Sequence, residues 1–298
     1  MTIPVPPADD IQQALGLSKR PEHIKTGGFK AVYQMKNDSG EDEALKAVYI
    51  PAANTDEEHL IRDEHIARAE REIEALGKCN CPHLVSLGSV PAKPYSIAGH
   101  DYLVYSEEFL PGKSLDTWIG RQPLPAYHDL YALFGMLVGL IRVLSQTGYI
   151  HRDIKPANIM DTALPGRRFV SLDLGIAYKM HGTELTRGGH PPGTLPYMAP
   201  ELLRSDYKNN MDLRCDLYAA GLTVYVLASS TYPFASQPES PRPLDWRIMN
   251  INSRPLAASR TDLPDGFCRI IDRCIRKKPA LRYAQLELVE DELRKVEP

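Results

Sequence analysis

The segment HRDIKPANIM, residues 151–160, places two cations, one carboxylate and one amide within eight residues, between a helical pattern and a β-like run. Groups of this kind are costly to bury beside an apolar chain unless each finds a partner. The stretch therefore demands a polar site at the edge of a core, and the rest of the sequence must supply what that site faces.

A chain of 298 residues, 43% of them hydrophobic, can bury one large core or two smaller ones joined by a hinge. Its 35 basic and 38 acidic residues give a formal net charge of -3, so no global positive excess points to nucleic acid or an anionic membrane. The N-terminal stretch MTIPVPPADDIQQALGLSKRPEH lacks a basic segment followed by an apolar one and does not read as a secretory signal. The most apolar runs, YALFGMLVGLIRVL and LYAAGLTVYVLA, are shorter than the ~20 residues of a spanning helix, and Arg142 interrupts the first. Both read as buried helices of a soluble protein. Among the five cysteines, Cys79, Cys81, Cys215, Cys268 and Cys274, the pair CNC is too closely spaced for the usual zinc pattern. Reduced, buried thiols and a cytoplasmic location are the expectation.

The first ~110 residues carry strand-like runs, FKAVYQMK, EALKAVYIP, HLVSLGSV and DYLVYSEEFL, separated by turn signals. From Asp56 to Gly77 helix formers dominate, and Ile66, Ala69, Ile73 and Leu76 fall at helical spacing. After PGKSL the pattern turns to long helices, clearest over 116–147 and 213–230, with more predicted in DGFCRIIDRCIRKKPALRYAQLELVEDELRKV. PAKPYSIAG and PFASQPESPRP read as surface loops. A small sheet-rich half followed by a larger helical half implies an α+β chain of two lobes with a cleft between them.

In RFVSLDLGIA an apolar strand runs into Asp173, and Gly175 lets the chain turn sharply beside that carboxylate. One acidic residue at a strand end is usually a turn or a cap. Together with HRDIKPANIM it matches the set for phosphoryl transfer: one carboxylate to accept the nucleophile's proton, and an Asn with a second carboxylate to hold Mg²⁺.

HRDIKPAN, DLG and GTLPYMAPE occur in the order and with the spacing of the eukaryotic-like serine/threonine protein kinases, and the chain resembles the bacterial branch of that family from about residue 18 to 290. The resemblance implies a bilobal protein-kinase-like fold: residues 1–17 an N-terminal extension, 18–110 the N-lobe with one main helix, and 111–298 the C-lobe. It implies ATP and Mg²⁺ as cofactors. Asp153 becomes the catalytic base, Lys155 the cation that neutralises the transferred phosphoryl, and Asn158 and Asp173 the metal ligands.

In EALKAVYI the period of two sets Lys46 on one face with Ala44, Val48 and Ile50, and a lysine aimed with an apolar face needs an anion. By the same resemblance Lys46 grips the α/β-phosphates and pairs with Glu72, while Glu70 and Glu74 point to other faces of the helix. The adenine slot takes Val32 and Ala44 as roof, Met160 as floor, and the backbone of Glu108 and Leu110 as hinge, and Ile24 counts among the cofactor-binding residues. Glu107 then falls where kinases usually place an uncharged residue, and a buried carboxylate there needs a partner. Either the assignment is shifted by one residue or the pocket behind the base is unusual.

The phosphate-covering loop departs furthest. Its G-x-G-x-x-G pattern aligns with KTGGFK, where Lys25 and Lys30 replace the outer glycines, Gly27 keeps its place and Gly28 still allows close backbone approach. The two lysines either attract triphosphate by charge or obstruct the loop's closure.

Lys155 and Thr194 are the pattern of enzymes that modify Ser or Thr, so the partner implied is a protein with a Ser/Thr acceptor. Arg152 is the residue that in this family pairs with an activation-loop phosphate, which makes Thr186, then Thr183, candidates for autophosphorylation. Glu201 is expected to meet Arg282, and Asp216 to cap the catalytic loop. The alternative is a pseudokinase, a nucleotide-binding scaffold acting through protein contacts. The oligomeric state is not legible in the sequence.

Overall fold

The structure is a computed structural model that describes residues 3–79, 81–162, 164–174, 178–179, 193–207, 211–235 and 241–298. The chain divides into two compact units, residues 1–80 with 85–111, and residues 81–84 with 112–298.

The first unit is a five-stranded antiparallel sheet with a helix on each face. Strands β1 (Glu22–Thr26), β2 (Lys30–Lys36), β3 (Asp42–Ile50), β4 (Lys93–Ile97) and β5 (His100–Glu108) lie in the order β1-β2-β3-β5-β4. Alternation sorts the side chains. Ala31, Tyr33, Met35, Leu45, Ala47, Tyr102 and Val104 pack with Ala8 and Ile11 of α1 (Ala8–Leu15) on one face. Val48, Ile50, Leu103 and Tyr105 pack with Ile66, Ala69 and Ile73 of α2 (Asp56–Lys78) on the other.

The described part of the N-terminal extension packs on the first unit. Helix α1 fills one face of the sheet, with Ile11 fully buried, and ends on Gly16 in the left-handed region at φ 66°. Helix α2 opens with a capping box: Thr55 Oγ1 accepts the Glu58 N–H at 3.2 Å while Glu58 Oε2 accepts the Thr55 N–H at 3.1 Å.

Two expectations in this unit are corrected. HLVSLGSV forms no strand, only single bridges from Leu84 to Ser171 and from Leu87 to Glu107, each within its own unit. PAKPYSIAG is not a loop, because its middle forms β4. Pro94 is tolerated there since β4 is an edge strand and pairs only with β5.

The second unit is mainly helical: α3 (Tyr127–Gln146), α4 (Leu213–Ser229), α5 (Leu244–Asn250), α6 (Asp265–Cys274) and α7 (Leu286–Arg294). Helix α4 packs closely on α6, since a Cβ at Gly221 would meet the Cys274 Cβ at 2.6 Å. Short strands complete the unit. β6 (Gly112–Ser114), β8 (Ile159–Thr162) and β9 (Phe169–Ser171) form one sheet, and β7 (Tyr149–Ile150) pairs with β10 (Tyr178–Lys179).

The helix expected from residue 116 begins instead at Tyr127, after a single 3-10 turn at Leu115–Trp118. Pro123 and Pro125 explain the break, because each removes a donor and restrains the residue before it. At 20 residues α3 is longer than its apolar core suggests, and by length and composition it is able to cross a membrane. In this fold it is a core helix, with Leu130, Leu133, Phe134, Leu137, Leu140 and Leu144 buried.

Candidate active site

Four charged side chains gather on the α2 side of the first unit's sheet. Lys46, in the middle of β3, stands opposite Val32 on β2 and Tyr105 on β5, and the strand's alternation turns it toward α2. Its Nζ donates to Glu72 Oε1 at 2.8 Å and also to Glu107 Oε1, and lies 5.6 Å from the centroid of the Tyr105 ring. Glu72 is shared in turn: Lys30 Nζ lies 3.1 and 3.2 Å from its two oxygens. Lys46, Glu72 and Glu107 are 5%, 0% and 2% exposed. Two ammonium groups and two carboxylates thus balance where any one left alone would be costly to bury.

The expected Lys46–Glu72 pair is present, but it is not exclusive. Lys30 does not present its charge outward from the glycine loop, because it is committed to Glu72. Glu107 is the partner-seeking carboxylate anticipated at this position, and Lys46 is the partner. Burial pushes the Glu107 carboxyl up to about 7, with Lys46 pulling it down and Glu72 adding to the rise.

The glycine loop turns tightly, with the Gly27 N–H donating to Lys30 O at 2.8 Å. Neither loop glycine is demanded by the fold. A Cβ at Gly28 would meet nothing within 4 Å, and at Gly27 only Lys30 O at an ordinary 3.6 Å.

Of the remaining residues assigned to the base, Val32 and Leu110 are buried, Ala44 is half-buried, and Ile24 is 45% exposed at a bulge where β1 slips against β2. The Glu108 N–H donates to Ser86 O at 3.0 Å, so a base-binding role for Glu108 falls to its carbonyl. Met160 belongs to the second unit, in β8 between Ser114 and Val170.

Sequence reasoning missed another buried carboxylate, Glu43, on the α1 face of β3. It accepts from Ser106 Oγ at 2.5 Å, Asn37 Nδ2 at 3.0 Å and the Ser89 N–H at 2.9 Å. Burial alone raises its pKa, and the bonds from Ser106, Asn37 and Ser89 together outweigh that and hold it below the usual carboxylate range. The period of two through Leu45 and Ala47 is the signal that marks Glu43 as inward-facing.

In the second unit, the loop from His151 to Asn158 organises itself around Asp153. Lys155 Nζ donates to Asp153 Oδ2 at 2.7 Å, and Asn158 Nδ2 to the same oxygen at 2.9 Å. The other oxygen accepts the Thr194 hydroxyl at 2.7 Å and its backbone N–H at 3.1 Å. Lys155 Nζ also donates to Thr194 Oγ1. The carboxylate is thereby held by donors on both oxygens in one orientation.

Asp216 on α4 caps the loop as expected, accepting the His151 N–H at 2.7 Å and the Arg152 N–H at 2.9 Å. Leu172 N donates to Asn158 O at 2.9 Å, which ties the chain entering half-buried Asp173 to the Asn158 turn. The Asn158 amide nitrogen donates to Asp153; the oxygen of that amide and the Asp173 carboxylate are hard oxygen atoms, the chemistry that suits Mg²⁺. Among the described residues no group of three or more His, Cys, Asp or Glu forms a metal cluster. Gly175, Thr183 and Thr186 lie outside the described residues. Arg152 is buried.

Glu201 and Arg282 form the anticipated pair, which proves bidentate at 2.6 and 2.8 Å, and Arg282 also donates to the carbonyls of Arg276, Arg214 and Lys277. All five cysteines are buried free thiols.

Comparison with known proteins identifies the family of the chain. Residues 19–293 match the protein kinase domain family. The chain is 30% identical to the serine/threonine-protein kinase pkn3 of Myxococcus xanthus over 80% of its own length and 43% of that protein's. It is also 30% identical to Pkn1 of the same organism, over 87% of the chain and 35% of the relative. It therefore spans less than half of either relative. The kinase domain of PknI from Mycobacterium tuberculosis superposes with a TM-score of 0.60 at 22% identity, covering 92% of this chain and 94% of that one. On the family match across nearly its whole length, the chain belongs to the protein kinase domain family.

Proposed function

We propose that this chain transfers the γ-phosphoryl group of Mg-ATP to serine or threonine hydroxyls of proteins. One observation carries the reading: the Asp153 carboxylate is fixed on both oxygens by Lys155, Asn158 and Thr194, with no residue of opposing role in its place. Phosphoryl transfer asks little covalent chemistry of a protein and a great deal of positioning. Asp153 would align the incoming hydroxyl and receive its proton, a step worth about 10²–10⁴ in rate. Lys155, already beside that carboxylate, supplies positive charge where the transferred group gathers negative charge. Asn158 and Asp173 would hold Mg²⁺, which neutralises phosphate charge when bound.

In the first unit Lys46 is the phosphate ligand, supported by Glu72, and the loop at Gly27 and Gly28 lets backbone approach the phosphates. Val32, Ala44, Leu110 and the Glu108 carbonyl serve the base. The family's relatives named serine/threonine kinases, and the pairing of Lys155 with Thr194, support a Ser/Thr acceptor. Autophosphorylation at Thr186 or Thr183 belongs to the same reading, as does a reducing cytoplasmic setting, which suits five buried thiols.

The test is incubation with Mg-ATP and a generic Ser/Thr protein substrate, beside Asp153→Asn. Transfer by the wild type alone is expected. Thermal stabilisation by Mg-ATP without transfer would turn the reading to a nucleotide-binding scaffold, and phosphopeptide mapping of the wild type reports on the two threonines.

A further inference from the structure

Two consecutive residues at the end of the glycine loop reach helix α2. Phe29 packs on the same apolar cluster as Ile66 and Ile73 of α2, with its ring 5.7 Å from that of His65. Lys30 Nζ lies 3.1 and 3.2 Å from the two oxygens of Glu72. The backbone of the same two residues is tied down as well: Lys30 O accepts the Gly27 N–H at 2.8 Å, and Phe29 O accepts the Tyr49 N–H at 2.9 Å. The turn of the loop, strand β3 and helix α2 are thus joined through residues 29 and 30.

The strand register explains why Lys30 arrives at Glu72. Lys30 stands opposite Val48 and Val32 opposite Lys46, so alternation puts both lysines on the α2 face, at a diagonal spacing of about 7–8 Å. Two ammonium groups that close repel unless an anion lies between them. Glu72, fully buried, is that anion, and its Oε1 accepts from Lys46 Nζ at 2.8 Å as well as from Lys30. A helix held by Lys46 alone could move outward by breaking one ion pair. Here outward movement of α2 would part a buried carboxylate from two ammonium groups on two strands, which burial makes costly.

We propose that Lys30 is a positioning residue that keeps α2 seated on the sheet, and the Lys46–Glu72 pair closed, in the unphosphorylated chain. In protein kinases the closing of this pair is a controlled step, governed by the placement of the helix and by phosphorylation of the activation loop. A second cation on the same carboxylate supplies that placement from within the sheet. Lys46 stays bonded to Glu72 throughout, and Lys30 adds an independent hold on its partner. The consequence for phosphoryl transfer rests on Lys46 being the phosphate ligand, as proposed above, whereas the seating of α2 does not.

Hydrogen–deuterium exchange, read by mass spectrometry on nucleotide-free protein, tests the seating directly. Amides over residues 66–78, the half of α2 that carries Glu72, are expected to be equally protected in the wild type before and after phosphatase treatment. In phosphatase-treated Lys30→Met they are expected to exchange about tenfold faster, while α1, on the opposite face of the sheet, keeps its wild-type rate. Lys30→Arg retains a cation with several donors for the carboxylate and is expected to restore the protection. Initial rates follow the same order: kcat of phosphatase-treated Lys30→Met should fall about tenfold, and that of Lys30→Arg should stay within a few-fold of wild type.

A wild type whose α2 exchanges freely after phosphatase treatment, and gains protection only on rephosphorylation, overturns the proposal. So does Lys30→Met with wild-type exchange over residues 66–78. Equal acceleration in α1 and α2 makes Lys30 a general support of the sheet and overturns it too. A wild type that shows the expected protection but transfers no phosphate from Mg-ATP overturns the proposed function and leaves the seating of α2 standing. The wild-type comparison needs no variant to fold.

Discussion

Asp216 accepts the backbone N–H of Arg152 at 2.9 Å, at a residue whose φ is +67°. A non-glycine residue in the left-handed region costs about 1–3 kcal/mol and persists only where its surroundings insist on it. Here a buried carboxylate on α4 does the insisting, taking the His151 N–H with its second oxygen at 2.7 Å. Burial raises the Asp216 carboxyl above its usual range, with His151, Arg152 and the two backbone bonds working against that rise. The turn bears directly on the proposed function, because it delivers Asp153 one residue later.

Replacing Asp216 by Ala leaves two buried N–H groups without acceptors and releases the strained turn. The expected loss is ~2–4 kcal/mol of stability, read from urea unfolding, together with a fall in kcat of about tenfold or more. Asp216→Asn retains one acceptor and should lose less. Unchanged unfolding in Asp216→Ala would mean that the loop holds its conformation by other means.

The Glu201–Arg282 pair makes a purely structural prediction. Its side chains are 6% and 0% exposed, so removing either leaves the other charged and buried. Arg282→Met is expected to cost ~3–5 kcal/mol. Adding Glu201→Gln to that variant should cost less than the sum of the two singles, since the second change removes the stranded charge. Strict additivity in a double-mutant cycle would contradict a coupled pair.

Thr194 sits on Asp153 through both its hydroxyl and its backbone N–H. Removing the hydroxyl by Thr194→Val should lower kcat about 10-fold to 100-fold with a smaller change in KM for ATP, because orientation of the carboxylate is lost and not nucleotide contact. Thr194→Ser keeps the hydroxyl and is expected to stay within a few-fold of wild type. Steady-state kinetics that move KM alone would place Thr194 outside the catalytic arrangement.

How much of this was legible in the sequence follows the range of the interactions involved. The loop from His151 to Asn158 could be read because its motif resembles that of the protein kinases, and in the structure Asp153, Lys155 and Asn158 bond as local neighbours. The inward face of Lys46 was legible from strand alternation alone. The partners were not. Nothing near Lys30 in sequence announces that it reaches Glu72, a residue 42 positions away, and the alignment with a glycine suggested a lysine that either attracts triphosphate or obstructs the loop's closure. Helix α1 was overlooked because it is short and flanked by Pro7 and Gly16, and its stability comes from the sheet face it covers. Strand β4 was hidden by Pro94, which rules out a central strand but not an edge.

The raised pKa of Glu107 makes stability depend on pH in a direction opposite to that of most carboxylates. Unfolded, the group titrates near 4.5, and in the fold near 7, because burial outweighs the attraction of Lys46. Between those values the folded chain binds more protons than the unfolded one. The contribution of Glu107 is thus fully present below about pH 4.5 and is lost as pH rises through about 7, after which it changes no further. At ~1.4 kcal/mol for each unit of separation, the whole window is worth at most ~3–4 kcal/mol. Glu107→Gln preserves the shape and cannot titrate, so urea midpoints of wild type and variant, compared from about pH 5 to about pH 8, isolate the effect. The wild type should lose stability relative to the variant as pH rises across that range and hold a constant difference above it. Two parallel profiles would mean that Glu107 is ionised throughout, with Lys46 paying its full burial cost, and that the buried cluster carries its charge at every physiological pH.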